Sequence, residues 1–293
     1  MIDGFLPSMI DRDLLRFLEE DLPEGDLTSR LFFGDRGGKS IGAGIVAEEG
    51  GVLAGTPFVD RIFTLLEEPV SVTWHVSEGA AFTSGEVLGT WHGPIGALLA
   101  GERLSLNLLK HLSAIATLTR SYVDAAAAAR PPGMRPLRIT ETRKTLPGLR
   151  IFQKYAVRTG GGSSHRSSLS SGILIKDNHL VGVGSVGRAV AEARKNAPHP
   201  YRIEIEADTA LQAMEAAREG ADILLLDNMS FSDLSLLVPR LRDTAPGILL
   251  EVSGGLTLEK VRALAVLDID LCSVGALTHS PRDLSLRLGF DDG

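Results

Sequence analysis

Between Arg143 and Lys176 the chain carries Arg143, Lys144, Arg150, Lys154, Arg158, Arg166 and Lys176, with His165 among them and neither Asp nor Glu. The whole chain is acidic, with 30 Lys and Arg against 37 Asp and Glu, so this stretch is a local reversal of sign. Arginine offers a planar fork that grips carboxylate or phosphate with two bonds, and lysine a mobile point charge. A solvated basic helix face is the ordinary meaning of such a run. Here the bases are spread over a turn, a helix-like segment, a Gly-rich loop and a strand end. Their convergence on one pocket would make a strong site for a polyanion, and convergence is the expectation.

Two acids outside this stretch could work with it. Glu206 and Asp227 close successive apolar runs, where they could hold a divalent ion bridging phosphates or accept hydrogen bonds from ribose hydroxyls. Mg²⁺ is commonly bound through one or two carboxylates plus substrate phosphates. The bland alternative pairs both acids with Lys144 and Lys176 and needs no ligand. Ser253-Gly254-Gly255 and Gly275-Ala276 follow two later runs, with a helical pattern starting near Thr257. Backbone N–H groups bared by glycine beside a helix start suit a phosphate monoester, although glycine also simply makes turns. Neither His165 nor His179 has a partner at His-x-x-x-His spacing, so no zinc site is expected. His179, in Lys176-Asp177-Asn178-His179, reads as a residue that supports the site from behind or caps a helix, in preference to a ligand.

The elements that must position these residues are legible in the second half of the chain. Apolar runs recur at Leu137–Thr140, Gly172–Ile175, Tyr201–Ile205, Asp222–Leu226, Gly247–Val252 and Ile269–Val274, with helical patterns such as Thr209–Glu219 and Phe231–Arg242 between them. Strands alternating with helices imply a parallel sheet. The count fits an α/β barrel with fewer than eight strands or a doubly wound sheet. Each run ends at a polar or glycine position, namely Thr142-Arg143-Lys144, Lys176, Glu206, Asp227, Ser253 and Gly275. In a barrel all of these share the rim where active sites are built. The first half differs. Residues 9–20 read as an amphipathic helix, 41–91 as a small antiparallel sheet, and Ala97–Ala129 as helix too long to run without a break near Ser113 or Thr117.

Composition excludes whole classes of function. A net charge of −7 and only 5% aromatic residues argue against a nucleic-acid binder, which needs a basic footprint and stacking rings. The single Cys272 rules out an internal disulfide framework. No apolar run is long enough to span a bilayer, and Met1-Ile2-Asp3-Gly4 lacks the basic start of a secretory leader. A cytoplasmic protein is expected.

Several motifs, taken together, resemble one family. They are Gly25-Asp26-Leu27-Thr28, Ala100-Gly101-Glu102-Arg103 with Asn107, and Thr142-Arg143-Lys144-Thr145-Leu146-Pro147-Gly148-Leu149-Arg150. Gly160-Gly161-Gly162 with His165-Arg166, Leu174-Ile175-Lys176-Asp177-Asn178-His179, Glu204-Ile205-Glu206, Leu226-Asp227-Asn228, Ser253-Gly254-Gly255 and Ser273-Val274-Gly275-Ala276 continue the series. In this order they are similar to the quinolinate phosphoribosyltransferases, the decarboxylating enzymes of NAD biosynthesis. Ser164 stands where the family commonly has Asn, and Glu141 where it has Asp.

The resemblance implies an N-terminal α/β sandwich over residues 1–112 and an incomplete α/β barrel over 113–293, with a C-terminal segment able to pack back on the sandwich. It implies a homodimer and the reaction of quinolinate with phosphoribosyl pyrophosphate and Mg²⁺, giving nicotinate mononucleotide, pyrophosphate and carbon dioxide. By the family pattern Arg103 (reaching in from the partner subunit), Arg143, His165, Arg166 and Lys176 surround the quinolinate carboxylates. Lys144, Glu206 and Asp227 meet ribose, pyrophosphate and metal, with Thr142 alongside. Ser253, Gly254 and Gly255, with Val274, Gly275 and Ala276, take the 5′-phosphate. Two rivals remain on sequence alone: a Schiff-base aldolase using Lys176, and a catalytically silent anion-binding protein.

Overall fold

The computed structural model describes residues 7–34 and 37–290. Met1 to Gly4, on which the expectation of no leader rests, lie outside them. Two compact units emerge: one runs to Leu118 and resumes at Pro281, and the other is Thr119–Ser280. The division thus falls a little beyond the 112–113 boundary expected from sequence.

The first unit is built on a four-stranded antiparallel sheet, ordered Leu286–Phe290, Ser40–Ala47, Val87–Pro94, Ser71–Trp74. Along Ser40–Ala47 the buried residues are Ala43, Ile45 and Ala47, the period of two that turns one face of a strand to a core. Trp91 and Phe63 meet edge to face there, 4.9 Å between ring centres. The helix Pro7–Asp21 buries Ile10, Leu14 and Leu18, a spacing of four that lines up one helix face.

The expected break in the long helix does not occur: Ile95–Ala129 is continuous. Neither suspect position weakens it. The Ser113 hydroxyl receives the Ala54 N–H at 3.0 Å, and Thr117 receives the Val52 N–H at 2.8 Å while donating to the Ser113 carbonyl at 2.7 Å. These hydroxyls serve a neighbouring edge of backbone and leave the helical ladder intact. No Gly or Pro follows Gly101 before the helix ends. Gly101 itself is dictated by packing, since a Cβ there would lie 2.4 Å from the Phe63 ring.

The second unit carries a six-stranded parallel sheet, ordered Arg138–Thr140, Leu271–Ser273, Leu249–Ser253, Ile223–Asp227, Ile203–Ala207, Ile173–Ile175. The last strand of this sheet in chain order sits beside its first, and each other strand sits beside a sequence neighbour. That cyclic order is the order of a barrel left open between its first two strands. A doubly wound sheet would instead reverse at a switch point. The helices between start on side-chain caps that the sequence supplies, Thr209, Ser230 and Thr257 among them. Among the described residues no helix is long and apolar enough to cross a membrane.

Candidate active site

Cross-strand register decides which side chains meet inside the barrel. Glu206 pairs with Leu225 and Leu225 with Glu251, so these three share one row of the inner face; Asp227 pairs with Ser253 one step nearer the rim. Leu174 and Glu204 form a row below. Glu206 lies within its strand, whereas the sequence pattern places it after the strand.

At the rim this inner face opens into a cavity of about 250 Å³. Its wall includes Thr142, Arg143, Lys144, His165, Arg166 and Lys176 on the basic side, and Glu206, Asp227, Glu251, Ser253 and Ser273 from the strands. A second cavity, of about 280 Å³ in the first unit, is lined by Asp60, Phe63, Thr64, Glu68, Val70 and Val72. It has no basic side chain and offers nothing to an anion.

Convergence of the bases is therefore real but partial. Arg150 instead ties Thr145 and the Ser167 carbonyl at 2.9 and 3.1 Å, and Arg158 reaches Ser164 at 3.1 Å. Lys154 is buried against Glu141, and its Nζ also donates to the His165 carbonyl at 3.0 Å. The Glu141 carboxylate accepts the His165 N–H at 3.2 Å. Burial pushes the Glu141 acid up and the Lys154 ammonium down, each opposed by the other's charge. These three bases shape the loop that carries His165 and Arg166, so they hold the site without lining it.

Within the cavity the charges are crowded. Burial, and then the neighbouring Arg143, pull Arg166 down, with Glu204 opposing. Arg143 Nε is buried without a hydrogen-bond partner, a donor left for something the cavity is to receive. Lys176 Nζ pairs with Glu206 at 2.5 Å. The sequence-level alternative of acid–lysine pairing therefore holds for this pair. Such a pairing also removes Lys176 from the desolvated apolar setting that a Schiff-base lysine needs. His179 Nδ1 accepts the Lys176 N–H at 2.8 Å, the capping role expected of it.

Burial alone would lower His165, but the Glu204 and Glu251 carboxylates outweigh it and push the ring up to about 10. Burial and repulsion from Glu251 push Glu204 up in turn, with His165 opposing. A second demand acts on the same ring, because Nδ1 receives the Arg166 N–H at 2.7 Å and must be unprotonated to do so. One such bond contributes about 0.5–1.5 kcal/mol net. The two demands oppose each other: the carboxylates favour a cationic ring, and the bond from the Arg166 N–H favours a neutral one with its proton on Nε2.

Asp227 accepts from Asn228 Nδ2 at 2.6 Å, with Asn228 in the left-handed region at φ 54°. Asn tolerates that conformation better than most residues. Carboxylate oxygens of Glu206, Asp208 and Asp227 all fall within 4.8 Å of one another. An all-oxygen set of this kind fits Mg²⁺.

The two glycine-bearing loops expected to take a phosphate stand just off the cavity. Gly254 has φ 103°, and a Cβ on it would come 2.3 Å from the Asn228 side-chain oxygen, so only glycine fits. A Cβ on Gly275 would sit 3.3 Å from the Lys144 side chain. Gly254, Gly255, Val274, Gly275 and Ala276 are not among the residues of the cavity wall. Arg103 lies on the long helix of the first unit, 58% exposed and 3.7 Å from Glu102.

Sequence reasoning did not pick out Glu204, Asp208 and Glu251 as site residues. The signal was present. Glu204, Glu206 and Asp208 recur at period two, and Glu251 is an ionisable residue inside an apolar run.

Against this geometry the comparisons with known proteins are direct. Residues 26–113 match the quinolinate phosphoribosyl transferase N-terminal domain, and 115–288 the C-terminal domain. A protein of Bacillus subtilis described as a probable nicotinate-nucleotide pyrophosphorylase [carboxylating] is 42% identical over 94% of this chain and 91% of its own. The human nicotinate-nucleotide pyrophosphorylase [carboxylating] is 38% identical over 84% and 82%. The crystal structure of NadC from Streptococcus pyogenes superposes with a TM-score of 0.88 at 37% identity, covering 99% of both chains. The chain belongs to the quinolinate phosphoribosyltransferase family.

Proposed function

We propose that the barrel cavity carries out the family reaction with a division of labour set by its walls. Quinolinate and phosphoribosyl pyrophosphate are the substrates, and nicotinate mononucleotide, pyrophosphate and carbon dioxide the products. The observation that carries this reading is the meeting of Arg143, Lys144, His165, Arg166 and Lys176 with Glu206 and Asp227 in the wall of one cavity. A pyridine diacid and a sugar pyrophosphate need that many cations together, and a leaving pyrophosphate needs acids close by to hold its metal.

In this division Arg143, Arg166 and His165 take the quinolinate carboxylates, the unpartnered Arg143 Nε facing one of them. Arg103 of the partner subunit completes that side in a homodimer, consistent with its exposure here. Lys144 stabilises the charge that develops on the departing pyrophosphate, a preorganised electrostatic contribution. Backbone N–H groups of the Ser253–Gly255 and Val274–Ala276 loops take the 5′-phosphate. Glu206, Asp227 and Asp208 would hold Mg²⁺, which when bound supplies positive charge to the pyrophosphate oxygens. Lys176, paired with Glu206 here, would be released to turn to the substrate if Glu206 took up that role.

Holding the pyridine nitrogen about 3–3.5 Å from the ribose C1 is then a positioning task for the arginines. Once that nitrogen is quaternised it withdraws electrons from the ring, so the adjacent carboxylate leaves as carbon dioxide, its bonding pair stays on the ring carbon beside the cationic nitrogen, and a proton from water then takes its place. The enzyme acts in the cytoplasm, where a lone buried Cys272 stays reduced. Incubating the purified protein with quinolinate, phosphoribosyl pyrophosphate and Mg²⁺ should yield nicotinate mononucleotide by mass, and nicotinate in place of quinolinate should not. Turnover of nicotinate at an equal rate would show that the second carboxylate is not read, contrary to the assignment of Arg143 and Arg166.

A further inference from the structure

A buried polar side-chain atom without a hydrogen-bond partner costs free energy until something meets it. Arg143 Nε, Glu251 Oε1 and Ser273 Oγ are such atoms, and all three belong to residues of the cavity wall. Glu251 Oε1 has the His165 ring 3.5 Å away, and Arg143 is a base that the reaction already employs. Ser273 has no part in that division of labour, although it is only 3% exposed. Its strand, Leu271–Ser273, runs between the one that leads to Arg143 and the one that bears Glu251 and Ser253.

Neighbouring hydroxyls show what a structural role looks like in this part of the fold. Thr140, which pairs with Ser273 across the sheet, donates its hydroxyl to the Glu141 carbonyl at 2.7 Å. Thr278, in the short helix Ala276–His279 that follows, donates to the Lys144 carbonyl at 2.9 Å. Ser273 Oγ makes no such bond among the described residues.

Backbone pairing settles which segments Ser273 adjoins. The Val274 N–H continues the ladder to the Thr140 carbonyl at 2.8 Å, where the turn bearing Arg143 begins. The Thr278 bond ties the Lys144 end of that turn back to the same segment. On the other side of Thr140 stands Ser163, whose N–H donates to the Ile139 carbonyl at 2.7 Å. The loop with His165 and Arg166 departs from Ser163. Ser273 thus lies beside the root of the Arg143 turn, with the root of the Arg166 loop just beyond it.

We propose that Ser273 is a further specificity-determining residue: its hydroxyl donates, together with Arg143 Nε, to one carboxylate of quinolinate. Carboxylate oxygens accept from hydroxyl and guanidinium donors alike, so one substrate group satisfies both buried atoms. The sugar side has less claim on this hydroxyl. Glu206 and Asp227 are there to accept from ribose hydroxyls, and the glycine loops that take the 5′-phosphate lie off the cavity wall. The free protein bears the cost of an unmet hydroxyl, and the diacid relieves it.

The inference rests on the transferase reading, which wild-type turnover of quinolinate tests separately. For the inference itself, Ser273→Ala removes the hydroxyl and breaks no hydrogen bond among the described residues. Calorimetric titration with quinolinate alone needs no turnover, and affinity should fall roughly tenfold. The KM for quinolinate should rise in step, with that for phosphoribosyl pyrophosphate level. The free variant should melt no lower than the wild type, because an unmet buried donor has gone. The upward shift in melting temperature at a fixed quinolinate concentration should shrink. Ser273→Cys keeps the size of the side chain and offers only a weak donor, so it should show the same loss of affinity, and it serves alone if Ser273→Ala does not fold. A lowered melting temperature with quinolinate affinity unchanged would make the hydroxyl structural and overturn the proposal. A raised KM for phosphoribosyl pyrophosphate with quinolinate unaffected would overturn it too, moving Ser273 to the sugar side.

Discussion

Lys154→Met is the sharpest test of how this site is held. Lys154 is 1% exposed and Glu141 0%, so the substitution leaves a carboxylate in the interior with no counter-charge. Breaking a buried pair from one side costs about 3–5 kcal/mol. The variant also loses the Nζ donor to the His165 carbonyl, a further ~1 kcal/mol. At ~2–4 °C per kcal/mol for a unit of this size, the unfolding midpoint should fall by roughly 10–20 °C. The deficit must also depend on pH. Burial pushes Glu141 up, and without Lys154 only backbone hydrogen bonds, the His165 N–H among them, oppose that. An acid whose folded pKa is raised destabilises above its unfolded pKa and has no effect below it. The loss relative to wild type is therefore largest near pH 8 and shrinks toward pH 5. Replacing both partners, Lys154→Met with Glu141→Leu, removes the orphan charge but leaves the His165 N–H and carbonyl unpartnered, so it should recover only part of the loss at pH 8. Scanning calorimetry on the three proteins at pH 5 and pH 8 decides the matter. A deficit that does not change with pH, or a double variant less stable than the single, would refute the account of a buried charge pair holding His165.

How much of this was legible beforehand follows from which physical signals are local. The barrel strands show themselves as apolar runs ending in polar residues because a strand buried on both faces has no alternation to hide it, and the rim residues follow from where those runs stop. Lys144, Lys176, Glu206 and Asp227 are read in that way. The sorting of the bases is another matter. Arg143 and Lys154 look alike in the chain, and only the packing of the helix Arg150–Thr159 turns Lys154 inward to Glu141. Glu204 and Glu251 escaped because a buried glutamate is energetically exceptional. Inside an apolar run it reads as noise until the register puts both on one row system around His165. The unbroken helix at Ser113 and Thr117 is the same lesson with smaller stakes, since hydroxyls that look like interruptions are partners for a distant stretch of backbone.

Two catalytic substitutions should separate binding from chemistry. Lys144→Ala should lower kcat by about 10²–10³, the usual consequence of losing one preorganised electrostatic contact to developing charge, and change the KM for quinolinate little; an unchanged kcat in steady-state assays would take the pyrophosphate away from Lys144. Arg166→Ala should act the other way. Its guanidinium is fixed by a bond to the Gly172 carbonyl at 3.0 Å, so it is presented to the cavity at little entropic cost, and removing it leaves a substrate carboxylate without a charged partner. Bonds to charged groups contribute about 1.5–3 kcal/mol, which predicts a KM for quinolinate raised roughly 10–100-fold with the KM for phosphoribosyl pyrophosphate nearly constant. If both constants rose together, Arg166 would be shaping the whole cavity instead of reading the diacid, and the split between the basic and acidic walls would have to be redrawn.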